Sequence, residues 1–231
     1  MNLLLTSASS ELAQALADGL SDGHSLRLTD RTWVSTPYEF ALSPLGHDAS
    51  TNLLVRGMDA IIHLVEPLPD DSDTSYLDFA MRGTYNLLTA AAEEGVKRAI
   101  YLGSLDVMAG YDPDYLVTER WRPVPTPEPR VLGRHLAEYV CREFAREHRL
   151  QVAVLRIGHP VRAAEVADAP FDPLWVDMAD VVQAVSLALD ASLDLWTVLH
   201  IQADGPHSRF PIDEARRVLG FSPRVQFEPV S

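Results

Sequence analysis

The chain has 231 residues, 47% of them hydrophobic and 23% charged, which suits one domain, 1–231, with a well-buried core. Its formal net charge of −14 opposes phosphate backbones and anionic lipid, which argues against nucleic acid and membrane surfaces as partners. The single cysteine, Cys141, rules out a disulfide framework and a cysteine metal cluster, and no apolar run reaches the roughly 20 residues of a bilayer span.

The first residues show no basic stretch leading into a long apolar run, so no signal peptide is read there and the expected location is the cytoplasm. In chain order, "NLLLT" predicts a strand and "ELAQALADGL" a helix, joined by a turn of small residues. "SLRLTD" reads as a strand that ends on Asp30. "DAIIHLV" (59–65) is the short apolar run of a strand buried on both faces. Residues 75–95 have helical periodicity with Gly95 placed to end the helix, and 97–104 read as the next strand. A helix over 130–148 follows Pro129, then a strand over 151–157, a helix over 177–189, a strand over 196–201 and a helix over 212–220. The stretches 31–50, 105–129 and 158–176 read as irregular, the second because "WRPVPTPEP" cannot continue a helix or a central strand.

Strands alternating with helices predict an α/β fold, a doubly wound parallel sheet of Rossmann type. In such a sheet ligands bind beyond the carboxyl ends of the strands, so the loops after residues 6, 30, 65, 104 and 157 should surround any site. Substrate-side segments are expected within 158–176 and 202–231. The eight histidines are scattered without the helical spacing of metal ligands, and no metal site is read from them. His63 lies in a core strand pattern, whereas His159 and His207 fall in loops at or near the sheet mouth. Ser104 lacks a Gly-x-Ser-x-Gly elbow, which weakens a hydrolase reading.

"DAIIHL", "RGTYNLLTAAAEEGVKRAIYLGS", "VLRIG", "DMADVVQAVSLAL" and "ARRVLGFSPR" occur in the order and spacing found in the extended short-chain dehydrogenases/reductases. Over nearly its whole length the chain resembles that group's NAD-dependent epimerase/dehydratase family. The resemblance implies NAD or NADP as cofactor and a sugar-like substrate. It also implies a two-fold homodimer through helices 75–95 and 130–148, both of which carry more apolar positions than one core-facing stripe needs.

The motifs that would carry the chemistry differ from the family's. Its opening T-G-x-x-G-x-x-G falls on Thr6, Ser7, Ser10 and Ala13. The first glycine permits the tight turn and the second the approach of backbone to pyrophosphate, so Ser7 and Ser10 disturb both. Glu11 adds a carboxylate that suits the helix dipole but opposes a pyrophosphate there. The competing reading of Ser9 or Ser10 is a plain helix cap. Asp30 matches the acidic residue that bonds the adenosine ribose, and Asp48 resembles the aspartate at the adenine edge, each with a solvated loop carboxylate as the alternative.

In the family a Tyr-x-x-x-Lys pair works with a preceding Ser or Thr. Here Ser104 holds the hydroxyl position, Arg130 the tyrosine position and Arg134 the lysine position. Neither arginine gives up a proton near neutral pH. Tyr111 and Tyr115, in the loop before this helix, are the remaining candidates for a phenol. Ser104, Arg130 and Arg134 together would suit a carboxylate or phosphate, unless the arginines pair with acidic neighbours such as Glu138. "DGPHSRF" (204–210) resembles a substrate-side loop in which Arg209 contacts an anionic group, with a surface turn as the alternative.

Three readings follow. The first is a relative without the usual redox activity, binding a small sugar-like or anionic ligand or acting as a scaffold, with NAD(P) affinity weak or absent. The second is an active NAD(P)-dependent oxidoreductase or epimerase on a sugar or nucleotide sugar, with unusual cofactor binding. The third is a cofactor-independent enzyme using Ser104, Arg130 and Arg134.

Overall fold

The computed structural model describes residues 1–206 and 208–228. Seven parallel strands form the main sheet: β1 (Asn2–Leu5), β2 (Ser25–Asp30), β3 (Glu39–Leu42), β4 (Ala60–His63), β5 (Arg98–Ser104), β6 (Gln151–Ile157) and β9 (Trp196–Ile201). Their order is β3-β2-β1-β4-β5-β6-β9. β7 (His159–Val161) and β8 (Trp175–Asp177) pair with each other as a separate two-stranded parallel ribbon.

Alternation along each strand sorts the core into two layers. Leu3, Leu5, Ile62, Ile100 and Leu155 face α1 (Glu11–Leu20) and the later helices α6 (Met178–Asp190) and α7 (Asp213–Leu219). Leu4, Ile61, Tyr101, Val152 and Val154 face the opposite layer. That layer contains α2 (Ala49–Val55), α4 (Thr84–Glu93) and α5 (Pro129–Arg146). Both faces are therefore covered, as the unbroken apolar run of β4 requires.

The predicted helix over 75–95 divides into α3 (Asp73–Asp78), a π-helical turn (Phe79–Gly83) and α4, with Gly95 beyond the end of α4 at φ 81°. The stretch 31–50, read as irregular, contains β3 and runs into α2. Four residues between prolines are too short for a periodic signal, and β3 gains its partner only through the register of Arg27–Asp30 on Glu39–Leu42. The stretch 158–176 likewise contains β7 and the start of β8. Within 105–129 only a 3₁₀ turn, Leu105–Met108, is regular before Pro129 opens α5.

The chain winds from β1 outward through β2 to β3, then returns to place β4 on the other side of β1. The crevice between β1 and β4 is thus the switch point where an open α/β sheet receives a ligand. Farther along, beyond the ends of β5 and β6, a small apolar cluster of Leu105, Val107, Met108, Val117 and Phe210 fills the space under the surface loops.

Candidate functional site

The turn after β1 holds its shape through side chains. Ser7 adopts a left-handed backbone at φ 54°, the conformation that favours glycine there. Its hydroxyl compensates by donating to the Leu64 carbonyl at 2.9 Å and accepting from the Glu66 amide at 3.3 Å. The Ser10 hydroxyl donates to the Ser7 carbonyl and accepts from the Ala13 amide, so it caps α1. That uses one of the amides at the helix N-terminus, while Glu11 lies exposed in the first turn. Thr6 is buried, 2.9 Å from His63 Nδ1, and His63 Nε2 lies 2.8 Å from the Thr84 hydroxyl. Burial pushes His63 down to about 3, so the ring is neutral.

Asp30 ends β2 as expected, but its carboxylate accepts from the amides of Ser9, Arg31 and Thr32. Asp48 is placed differently from the reading above. It is the N-cap of α2, accepting from the Ser50 amide, and that bond with the Ser50 hydroxyl holds its carboxyl below the usual range. The residue that follows β3 at the sheet mouth is Ser43, whose amide donates to the Asp30 carbonyl.

Across the switch point, Glu66 is engaged through all its polar groups. Its amide donates to Ser7, its carbonyl accepts from Arg31 at 3.2 Å, and its carboxylate receives Arg134 at 2.9 and 3.0 Å. Arg31 also grips Asp71 with two bonds of 2.8 and 2.6 Å and lies 3.9 Å over the Phe79 ring. Arg31 holds the Asp71 carboxyl below its ordinary range. Burial alone would depress the Arg134 guanidinium, but Glu66 outweighs it and the group is raised. Glu66, Arg31 and Asp71 were not singled out by the sequence. Their partners are distant along the chain and follow no period.

Ser104 ends β5 buried, and its hydroxyl donates to Asp106 at 2.9 Å. Asp106 in turn accepts from His159 Nε2 at 3.0 Å, and His159 Nδ1 donates to Asp172 at 2.5 Å. The bond to Asp106, with that to Asp172, raises His159 to about 9, so an imidazolium sits between two carboxylates. The same bond lowers Asp106. His159, read from the sequence as a loop residue, is the first residue of β7 and follows the end of β6. The sequence reading missed both carboxylates: the Ser-x-Asp spacing at the end of β5 is a signal that could have pointed to Asp106, whereas Asp172 carries none.

Ser104, Arg130 and Arg134 do not converge on one another. Arg134 is committed to Glu66, Ser104 faces a carboxylate, and the exposed Arg130 forms no side-chain hydrogen bond or ion pair among the described residues. A three-sided anion cradle is therefore not assembled. Glu138 pairs with Arg156 of β6, not with Arg134. Three of the nearby phenols are engaged with backbone carbonyls. Tyr111 donates to the Arg122 carbonyl, Tyr76 to those of Val65 and Arg130, and Tyr101 to that of Arg134. Tyr115 is exposed against the Trp121 ring. Burial pushes Tyr76 up to about 12 and Tyr101 upward too, the opposite of what an acid–base phenol needs. Arg209 donates through one guanidinium nitrogen to the carbonyls of Tyr111 and Asp112, which pins one loop on another. His207 lies outside the described residues.

The His159 clamp ties the 158–177 segment to the 104–108 turn, and it gives a pH test. A folded value near 9 against an ordinary 6.5 means its contribution is complete below about pH 6.5 and lost as pH rises through 9. Amide exchange in 159–175 is expected to accelerate between pH 7 and 9.5, after correction for intrinsic rates, in the wild type but not in His159→Gln. Equal acceleration in both would remove the clamp from the account.

Comparison with known proteins gives one family model, described as the NAD dependent epimerase/dehydratase family, matching residues 13–165. An NAD-dependent glucose-6-phosphate dehydrogenase of Haloferax volcanii is 25% identical over 247 aligned residues, covering 96% of this chain and 92% of the relative. A short-chain dehydrogenase/reductase superfamily protein from Agrobacterium tumefaciens, solved with bound NAD, superposes with a TM-score of 0.85 at 19% identity, covering 98% of this chain and 93% of that one. Uronate dehydrogenase from the same organism superposes with a TM-score of 0.84 at 21% identity, over 97% and 84% of the two chains. These solved structures share the parallel, helix-covered sheet.

Proposed function

The chain belongs to the NAD-dependent epimerase/dehydratase family, and from that premise we propose that it is a member without nicotinamide redox activity, serving as a binding protein for a small sugar-like or carboxylate ligand. The observation that carries this reading is the state of the phenols around α5. The family's chemistry needs a tyrosine that exchanges a proton with substrate. Here Arg130 and Arg134 stand in the Tyr and Lys positions, and the nearby Tyr76 and Tyr101 are buried donors to backbone carbonyls with raised values. A group near 12 holds its proton at neutral pH and transfers it poorly.

The residues at the switch point also do not suit a dinucleotide. The first helical turn carries Ser10 as its own cap and Glu11 as an anion. The Asp30 carboxylate, which would bond a ribose diol, already accepts three amides. We assign the ligand to the mouth beyond β5 and β6, supported by the partial exposure of His159 and Asp172 there.

Calorimetric titration of NAD, NADH, NADP and NADPH is expected to give dissociation constants no tighter than about 1 mM. Glucose 6-phosphate and uronates, taken from the relatives' names, should give no NAD-dependent turnover. Ser7→Gly, Ser10→Gly and Glu11→Phe together should improve NAD binding. The second reading, an active oxidoreductase or epimerase, draws on the activities named for relatives and on Asp30. Turnover that disappears in Ser104→Ala would establish it and end the first.

A homodimer through α3–α4 and α5 belongs to the same proposal. Met81, Tyr85 and Tyr139 are exposed on these helices, with Leu132 and Val140 half-buried beside them. Light scattering at micromolar concentration is expected to return twice the chain mass, and Tyr85→Glu with Tyr139→Glu to return the monomer. A monomeric wild type would refute the dimer.

A further inference from the structure

We infer that Glu66 and Asp71 form an internal latch across the switch-point crevice, neutralising in this chain the two guanidinium groups, Arg134 and Arg31, that would otherwise face the diphosphate of a nucleotide. The inference rests on the non-redox reading and deepens it by naming what closes the crevice.

The geometry is that of a loop tied down on both sides. The segment 64–71 follows β4. Toward β1 it is stitched by the Ser7 hydroxyl, which bonds the Leu64 carbonyl and the Glu66 amide. From the end of β2, Arg31 reaches over the β1 position to the Glu66 carbonyl and to both oxygens of Asp71. On the far side the Glu66 carboxylate is held by Arg134 of α5. The ties thus run from β2 to β4 and from β4 to α5, over the strand ends where the order reverses.

Both pairs are well shielded. The Arg31 and Asp71 side chains are 14% and 9% exposed, and those of Arg134 and Glu66 are 23% and 28%. Shielding lessens screening, so each carboxylate cancels most of its arginine's attraction for an anion. An incoming diphosphate must displace one anion from each arginine while facing those same anions and Glu11. Glu66 and Asp71 lie on one short loop, and so they act as a unit. Without them the crevice would present two forked cations with the Phe79 ring beneath one of them.

The test titrates ADP, as a nucleoside diphosphate, and NAD into three proteins at low salt. These are the wild type, Glu66→Gln with Asp71→Asn, and the turn variant Ser7→Gly, Ser10→Gly, Glu11→Phe. The amides keep the shape of the carboxylates and remove their charge. The latch variant is expected to bind ADP at least about tenfold more tightly than the wild type. Adding Arg31→Gln and Arg134→Gln should abolish the gain. If the latch variant does not fold by circular dichroism, Glu66→Gln alone carries the test, because Asp71 still holds Arg31. An unchanged ADP affinity in a folded latch variant, with a gain in the turn variant, overturns the latch and leaves the non-redox reading standing. Micromolar NAD binding by the wild type overturns both.

Discussion

Glu138→Ala is expected to lower the unfolding free energy by about 3–5 kcal/mol, among the larger losses a single substitution can produce here. Glu138 lies on α5, one turn beyond Arg134, and receives Arg156 of β6 through two bonds of 3.0 and 2.6 Å. The two side chains are only 6% and 3% exposed. Arg156 also reaches the Met108 sulfur at 3.4 Å, so one guanidinium joins α5, β6 and the turn that carries Asp106. Removing Glu138 leaves a buried cation whose remaining hydrogen bond among the described residues is to the Met108 sulfur, and the loss is chiefly the penalty of that unpaired charge. Removing both charges is a different matter. Glu138→Leu with Arg156→Met fills similar volume with apolar groups and is expected to recover most of the loss, because desolvating two ions offsets much of their attraction. Urea denaturation of the three proteins decides it. A double variant as weak as the single would show that the pair adds net stability, and a single variant near wild type would show that the pair is not sealed from water.

The same pair illustrates what a sequence conceals. β1, β4, β5 and β6 were legible because burial on both faces leaves short apolar runs, and α5 because Pro129 marks its start. β3 and α2 were not. The Phe40 strand has a single neighbour in the sheet, and Asp48, read as an adenine contact by resemblance or as a solvated loop carboxylate, is the N-cap of α2. At the site, single residues were found but their pairings were not. Ser104, Arg134 and His159 were all singled out, yet their partners Asp106, Glu66 and Asp172 were not. Periodicity reports which face of an element is buried, and it carries no information about which distant carboxylate meets an arginine. The four-residue spacing makes Glu138 a partner for Arg134 on one helix face, but the fold gives each of them an opposite charge from another element.

Stability is expected to peak near pH 6.5–7 and to fall in acid before any carboxylate with an ordinary value is protonated, for two buried histidines. His63 and His200 are fully buried and both pushed down to about 3, chiefly by burial, with the Arg156 charge adding to the effect at His200. In the unfolded chain each takes up its proton near 6.5. Between pH 6.5 and 3 the unfolded state therefore binds more protons, and stability falls as pH falls. By the usual conversion each histidine can withdraw on the order of 4 kcal/mol across that window, so together they approach the whole stability of a typical domain. The carboxylates with lowered values, Asp71 and Asp106 among them, join only below their ordinary range near pH 4. In the interval from pH 6.5 to about 4.5 the histidines dominate, opposed only in part by Glu119, whose carboxyl burial raises above its ordinary range. On the alkaline side the raised His159 gives the opposite slope as pH climbs toward 9. The two buried histidines differ in how they are held. His63 sits between Thr6 and Thr84 and cannot be replaced without breaking that chain of bonds. Neither ring nitrogen of His200 completes a well-aligned hydrogen bond, and its ring stands edge-on to Phe210 at 5.8 Å. His200→Leu should therefore be tolerated at neutral pH and should move the acid midpoint down by roughly half a unit or more. Circular dichroism followed from pH 7 to 3 reads this directly. Coincident acid transitions for the wild type and His200→Leu would show that the ring takes up its proton without unfolding the chain.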